Sequence, residues 1–263
     1  MFIHNINPVL VSIGAIEIRY YSLAYILGFL LAYWLLWKAA DKKLIENLTK
    51  KGVDDLVVYL ILGVIIGGRL FHFVFYNPSA FWTNPLEIFY IWHGGMAFHG
   101  GLIGVLFAYW LFMRKHKVKF YPVADLVVLP LAIALFLGRI ANFINGELWG
   151  TMTNSNFCID YSQNQYMSHT PEGCRHPSQL YESVKNLAIF FILLFMYKKE
   201  KVKDGVVFWS FILLYGVLRF IVNFWRDDIG EHLYILGIST GQYLSLIMAI
   251  IAVVFLVRLK NKK

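Results

Sequence analysis

The sequence has few charged residues for its length. Asp, Glu, Lys and Arg make up 15% of its 263 residues, whereas hydrophobic residues make up 59%. A soluble domain usually carries about 25% charged residues. These polar side chains cannot cover the surface of a soluble fold of this size, so the sequence predicts that lipid surrounds most of the chain.

Acidic residues are scarcer than basic ones, and the formal net charge is +8. A basic excess favours nucleic-acid binding when the basic side chains form a continuous face. Here they occur in short clusters between long apolar runs, which is typical of membrane topology. We therefore expect membrane lipid as a partner and no nucleic acid.

Cysteine is rare, since Cys158 and Cys174 are the two in the chain. Both fall in one long polar connection, where they form either a disulfide or two unpaired thiols. A zinc site that adds His169 and His176 is a further alternative, but it lacks the usual paired spacing. We expect no metal.

A cleavable signal peptide is also not expected, because residues 1–19 lack a basic start and a small-residue cleavage site. Seven segments approach the roughly 20 residues that a membrane span needs. They are Tyr20–Trp37, Leu56–Tyr76, Phe89–Met113, Val123–Ile144, Pro177–Tyr197, Gly205–Trp225 and Gly241–Leu259.

The positions of lysine and arginine predict the orientation. Of the 24 basic residues, 17 lie after the first, third and fifth segments or at and beyond the end of the seventh. The positive-inside rule places these regions in the cytoplasm and the N-terminus outside. The predicted fold is an all-α polytopic membrane protein with seven transmembrane helices. Residues 1–263 form one membrane-embedded domain, with residues 1–19 as an arm on the outer face and residues 147–176 as a small outer cap.

Several charged residues fall inside the predicted spans. At a rise of about 1.5 Å per residue, Arg69, His99 and Arg219 lie about 21–22 Å from the cytoplasmic ends of their spans, and Arg139 about 27 Å. Glu182 lies about 9 Å below the outer end of the fifth span. Against a core of roughly 30 Å, five helices place polar groups in the outer half. This convergence predicts a site that faces the outer leaflet.

Three arginines with few carboxylates at membrane depth favour binding of an external anion. The arginine fork matches phosphate, so the head group of a phospholipid is the predicted ligand. Alternatively, Arg69 and Arg139 extend toward the surface or pair with Glu147 and Glu182. Lys185 has no obvious partner in the sequence and is expected to extend outward.

Other polar residues accompany these charges at helical spacing. His99 lies in a segment from His93 to Gly104 that contains five glycines, which predicts either a thin-walled crevice beside His99 or a helix-packing face. Arg139 and Asn142 share one helix face, as do Tyr215 and Arg219.

Four sequence runs, in this order on the predicted spans, are HGGMAFHGG, GRIANFINGELWG, HPSQLYE and YGVLRFIVNFWR. Together they resemble the prolipoprotein diacylglyceryl transferases over nearly the whole chain. The resemblance implies transfer of a diacylglyceryl group from phosphatidylglycerol to the lipobox cysteine of a prolipoprotein signal peptide. The products are a thioether and glycerol phosphate, no cofactor is needed, and the enzyme belongs in the bacterial inner membrane with its site toward the periplasm.

The resemblance also implies residue roles. The implied catalytic residues are His99, Arg139, Arg219, Tyr21, Asn142, Glu147 and Tyr215. The residues expected to bind phosphatidylglycerol are Arg139, Arg219, Gly150, His176 and Glu182, which the resemblance implies, together with Arg69, Gly100 and Gly101, which their places in the predicted spans suggest. Where the family often has a glutamate this chain has Asn223, and no function is carried onto His93.

In the expected mechanism the arginines hold the phosphodiester and stabilise the leaving phosphate. Either His99 or a tyrosine takes the proton of the substrate thiol, because thiolate is the attacking species. Two other functions remain open from the sequence. A lipid flippase would need polar residues that continue to the cytoplasmic face, and a phospholipid hydrolase would need a positioned water or a protein nucleophile.

Overall fold

A computed structural model of the chain describes residues 1–14, 16–90, 94–199, 202–227, 234–235 and 238–261. Six helices among these residues are long and apolar enough to cross a membrane. They are Tyr20–Asp41, Lys50–Tyr76, Phe120–Asn145, Ser178–Lys198, Val206–Trp225 and Thr240–Asn261. The prediction of an all-α polytopic membrane protein is confirmed at this level.

Helices make up most of the described chain. The α-helices are α1 (Tyr20–Asp41), α2 (Lys50–Phe71), α3 (Pro78–Thr83), α4 (Phe98–His116), α5 (Phe120–Asn145), α6 (Ser178–Lys198), α7 (Val206–Val222) and α8 (Thr240–Asn261). A π-helical turn, His72–Tyr76, extends α2, and two short 3-10 helices are Pro85–Phe89 and Asn223–Trp225. The strands are β1 (Phe2–Ile3), β2 (Val9–Ile13), β3 (Ile16–Arg19), β4 (Ile159–Asp160), β5 (Cys174–Arg175), β6 (Tyr234–Ile235) and β7 (Ile238–Ser239).

The chain divides into two compact units. The first contains Met1–Ala32 and Ala124–Lys263, and the second contains Tyr33–Val123. Each is described by itself below. The prediction that residues 1–263 form one catalytic domain stays a prediction.

In the second unit, glycines let α2 and α4 touch at the backbone. Gly63 and Gly67 on α2 face Gly100 and Gly104 on α4, each pair four residues apart. A Cβ on Gly63 would lie 2.6 Å from the carbonyl oxygen of Gly104. Such spacing is typical of close helix packing in lipid, where van der Waals contact replaces the hydrophobic effect.

The helix predicted to begin at Phe89 begins instead at Phe98, so this boundary was wrong. Gly94 and Gly95 precede α4 with φ of +81° and +74°. This left-handed conformation, accessible to glycine at low cost, cannot continue a right-handed helix. His93 lies outside the described residues.

In the first unit, a buried acid on α5 caps the start of α7. The Asp125 carboxylate accepts hydrogen bonds from the backbone N–H groups of Gly205, at 2.6 Å, and Phe208, at 2.7 Å. The first N–H groups of a helix have no partner within the helix, and a carboxylate there satisfies them.

The connection between α5 and α6 holds a small sheet. Strand β4 pairs in parallel with β1 and antiparallel with β5. A disulfide joins Cys158 to Cys174, whose Cα atoms are 5.5 Å apart. Since disulfide sulfurs are not thiolate ligands, this bond excludes the zinc alternative.

His4 fixes the N-terminal strand to this connection. Its fully buried ring approaches the carbonyl oxygen of Phe143 at 2.7 Å through Nε2 and the side-chain amide of Asn164 at 2.6 Å through Nδ1. The Asn164 oxygen accepts from the N–H of Tyr166, so its NH2 faces His4 and donates to Nδ1. The ring is therefore held neutral, with Nε2–H donating to Phe143. The hairpin β2–β3, by contrast, exposes Leu10, Val11 and Ile13.

Gly150 lies where three backbone segments meet. Its N–H donates to the carbonyl of His176 at 2.9 Å, and the next N–H, of Thr151, donates to Trp225 at 3.0 Å. A Cβ on Gly150 would lie 2.6 Å from the His176 carbonyl oxygen and 2.7 Å from the His176 Cβ. The close approach of these backbone segments to residue 150 requires glycine there.

Acid should loosen the N-terminal strand. Burial lowers the pKa of His4 below its ordinary 6.5, so the undocked histidine binds a proton first and docking weakens as pH falls below about 6.5. Hydrogen-exchange protection factors at residues 2–4 and 158–160 should be lower at pH 5.5 than at pH 7.5. His4→Gln should remove this pH dependence, and equal protection of the unsubstituted protein at both pH values would contradict it.

Replacing Gly150 should destabilise the meeting of the three segments. Gly150→Ala forces the His176 and Trp225 backbones apart, at a cost of about 1–3 kcal/mol. Thermal unfolding in detergent should show a lower midpoint. The control is Met152→Ala, two residues along at an exposed position. Equal midpoints for both variants would show that the close approach does not matter.

Candidate active site

One buried carboxylate organises the charged residues of the first unit. Glu182, on the second turn of α6, is 2% exposed at its side chain. Its Oε2 accepts from Lys185 Nζ at 2.7 Å and lies 3.8 Å from Arg139 Nε. Its Oε1 accepts a hydrogen bond from Arg219. The structure thus brings together Arg139, Glu182 and Arg219, as the sequence predicted, and adds Lys185.

This four-residue cluster carries two more positive than negative charges. All four side chains are largely buried, the two arginines being 17% and 14% exposed. Cations within a membrane span are costly unless a partner, a cavity or a substrate compensates them. The cluster is therefore suited to an anionic ligand.

The helix ends explain why these side chains meet. Arg139 lies near the end of α5, Glu182 near the start of α6 and Arg219 near the end of α7. The backbone contacts of Gly150 with His176 and of Thr151 with Trp225 tie these three ends together. Tyr215, one turn before Arg219, places its ring 4.2 Å from Lys185 Nζ and so joins the cluster.

A chain of side-chain hydrogen bonds extends from Arg139. Its guanidinium donates to Asn142 at 3.4 Å, and Asn142 donates to the Glu147 carboxylate at 2.7 Å. Asn145 donates to the same oxygen of Glu147 at 3.2 Å. The i, i+3 spacing of Arg139 and Asn142 predicted their shared face, and the network fixes how Arg139 is aimed.

Gln179 links this network to α6 by hydrogen bonds from its side-chain amide. Its side-chain NH2 donates to the backbone carbonyl of Glu147 at 2.7 Å and to the hydroxyl of Tyr161 at 3.2 Å. Burial raises the pKa of Tyr161 to about 12, so its hydroxyl keeps its proton and serves as a support. His176 lies three residues before Gln179, and its Nδ1 is 3.2 Å from the hydroxyl of Tyr181.

A cavity of about 580 Å³ opens along α1 and α5, and Arg139 and Asn142 line it together with Tyr21. The Tyr21 hydroxyl is 2.8 Å from that of Tyr25. The rest of the lining is almost wholly apolar, and includes Phe29, Val127 and Leu131. A cavity with one cationic region and hydrocarbon walls complements an amphiphile that has an anionic head.

Arg69, in the second unit, was predicted to bind phosphate, and in the structure its partners are backbone carbonyls. Its guanidinium donates to the backbone carbonyls of Glu87, Ile88, Gly94 and Gly95. The first two carbonyls belong to the 3-10 helix Pro85–Phe89 and the other two to the glycines that precede α4, and backbone carbonyls at such helix ends and turns need donors. These hydrogen bonds fasten residues 87–88 and 94–95 to α2, and the prediction that Arg69 binds phosphate stays a prediction.

His99 lies in the first turn of α4 with its side chain exposed. Its ring centroid is 6.3 Å from that of Phe71. Gly100 and Gly101 are buried, and a Cβ on Gly100 would clash with Gly67 and Phe71. Packing of α2 on α4 thus accounts for Gly100. The catalytic role of His99 and a substrate role of Gly101 stay predictions.

Lys185 is the residue that sequence reasoning missed. It was expected to extend toward the membrane surface, but its side chain is 3% exposed and bonded to Glu182. The signal was present in the i, i+3 spacing of Glu182 and Lys185, which places both on one face of α6.

Comparison with known proteins agrees with this geometry. The family model for prolipoprotein diacylglyceryl transferase matches residues 8–258. A phosphatidylglycerol–prolipoprotein diacylglyceryl transferase of Ehrlichia ruminantium (strain Gardel) is 40% identical, covering 96% of each chain. One from Neisseria meningitidis serogroup C is also 40% identical, covering 100% of this chain and 99% of its own. The chain belongs to the prolipoprotein diacylglyceryl transferase family.

Proposed function

We propose that this chain is a diacylglyceryl transferase that moves the diacylglyceryl group of phosphatidylglycerol onto the lipobox cysteine of prolipoproteins, the first step of bacterial lipoprotein maturation. The observation that carries the proposal is the cationic cluster around Glu182, with Arg139 on the wall of a largely apolar cavity. The names of the relatives from Ehrlichia and Neisseria give the same two substrates.

Phosphatidylglycerol fits the cavity with its acyl chains against the apolar walls and its phosphate toward Arg139. Arg219 adds a second guanidinium through their shared partner Glu182. Arginine forks bind phosphate oxygens in a fixed geometry, which holds the glyceryl carbon in place for attack. Asn142 and Glu147 aim Arg139, and Tyr21 lines the same cavity.

The reaction displaces a phosphate from carbon. The substrate cysteine loses its proton to a base, His99 or a tyrosine, and the thiolate attacks the glyceryl carbon. A carbon–sulfur bond forms while the carbon–oxygen bond to phosphate breaks. Glycerol phosphate leaves with the bonding electrons, and the arginines stabilise the charge that develops on it.

The protein lies in the bacterial inner membrane with its site toward the periplasm. The six long apolar helices and α4 together make the seven spans. Helix α4 has the basic residues Arg114 and Lys115 in its last turn. The basic connections and the C-terminal tail face the cytoplasm. In this orientation the arm of residues 1–19 and the cap of residues 147–176 lie on the outer face, where a disulfide is stable.

Purified protein in phosphatidylglycerol vesicles should transfer labelled diacylglycerol to a lipobox peptide. Label on the peptide supports the transferase, whereas label moved across the bilayer or released to water would support a flippase or a hydrolase. Arg219→Ala and His99→Gln should each lower the rate by about 100-fold or more, because each removes charge stabilisation or proton transfer. Lys198→Ala, at an exposed position on α6, is the control and should retain the unsubstituted rate. Thioether formation at nearly that rate by both site variants would refute the roles assigned to them.

The orientation can be measured separately. Single cysteines introduced at Lys51 and Lys203, in a Cys158→Ser/Cys174→Ser background with retained activity, should resist a membrane-impermeant thiol reagent in intact spheroplasts. A cysteine at Asn154, in the α5–α6 connection, should react. The opposite pattern would reverse the topology.

A further inference from the structure

Lys185 is an unusual residue for a membrane helix. Its side chain is 3% exposed, its Nζ lies 2.7 Å from Glu182 Oε2, and the ring of Tyr215 covers it at 4.2 Å. It does not line the cavity along α1 and α5. The resemblance assigns it no role, and a buried ammonium group is costly to retain.

We infer that Lys185 is a positioning residue that neutralises Glu182, so that Arg139 and Arg219 keep their full charge for the phosphate. The inference rests on the proposed function and adds a residue to it. Glu182 is needed because it holds two guanidinium groups in one place. Without a further cation, however, its carboxylate would offset one of the two arginine charges.

The distances show how the two carboxylate oxygens of Glu182 are shared among the three cations. Lys185 takes Oε2 at 2.7 Å, whereas Arg139 stays 3.8 Å from the same oxygen. Arg139 instead donates to Asn142 and lies on the cavity wall. Removing the lysine would leave Oε2 to Arg139, which would turn toward Glu182 and away from the cavity.

The charge matches the reaction. The phosphodiester of phosphatidylglycerol carries one negative charge, and glycerol phosphate leaves with the electrons of the broken carbon–oxygen bond, so its charge approaches two. The thiol proton goes to the base, which balances the step. A cluster with two excess positive charges is therefore better matched to the leaving group than to the bound lipid, which is the condition for lowering the barrier.

The test compares variants that differ in cluster charge. Lys185→Met reduces the excess positive charge of the cluster from two to one. Lys185→Gln makes the same change in charge but keeps a polar group beside Glu182. The double variant Lys185→Met/Glu182→Gln restores two, because the glutamine still accepts from Arg219 but carries no charge. Lys198→Met, on an exposed turn of the same helix, is the matched control. Transfer to a lipobox peptide and competitive inhibition by glycerol phosphate are measured for each.

Both single variants should lower kcat/KM and weaken glycerol phosphate inhibition by about tenfold, the size expected for a charged hydrogen-bond partner. For the double variant, both quantities should return to within about threefold of their values in the unsubstituted protein. Lys198→Met should have the same values as the unsubstituted protein. A double variant as weak as Lys185→Met, or single variants with unchanged inhibition, would show that Lys185 only packs. If the unsubstituted protein moves no label to the peptide, the proposed function itself fails; if it does and this pattern is absent, the role of Lys185 alone fails.

Discussion

A carboxylate buried within a membrane helix, with three cations around it, is the constraint on which the first unit depends. Glu182 alone would be too costly to bury, and Arg139, Lys185 and Arg219 would be no cheaper without it. Their mutual attraction is strong because the surroundings have a low dielectric constant. The same attraction draws the end of α5, the start of α6 and the end of α7 together. The arrangement that stabilises these helix ends is therefore also the one proposed to bind an anion, and a substitution at Glu182 that leaves all three cations in place affects both.

The connection between α5 and α6 supports this arrangement by covalent and backbone means. The disulfide from Cys158 to Cys174 closes the loop that leads directly into His176 and α6. Gly150 brings the loop against the chain that follows α7. The proposed phosphate site needs each guanidinium to be held within a fraction of an ångström, so a connection that fixes the helix ends matters as much as the charged groups do.

Much of the architecture could be predicted because hydropathy and helical spacing are local properties. The segments around α1, α2, α5, α6, α7 and α8 follow from long apolar runs, and the shared faces of Arg139 with Asn142 and of Tyr215 with Arg219 follow from 3.6-residue periodicity. The start of α4 was misplaced because apolar residues such as Phe89 continue the pattern, while the left-handed Gly94 and Gly95 stop the helix. The partner of Lys185 was missed because hydropathy argues for extension toward water and takes no account of a neighbouring acid.

Arg69 and Arg139 show why charge at membrane depth does not by itself identify a ligand site. Both are largely buried arginines predicted to lie in the outer half of the membrane, yet Arg69 donates to the backbone carbonyls of Glu87, Ile88, Gly94 and Gly95. Carbonyl oxygens occupy the N–H groups of the fork, so the side chain acts as a fastener for these backbone segments. Arg139 lies on a cavity wall and shares a carboxylate whose nearer oxygen is held by Lys185. What separates a binding arginine from a structural one is the set of acceptors within reach of its five N–H groups, which depends on tertiary contacts that the spacing of residues along the chain does not specify.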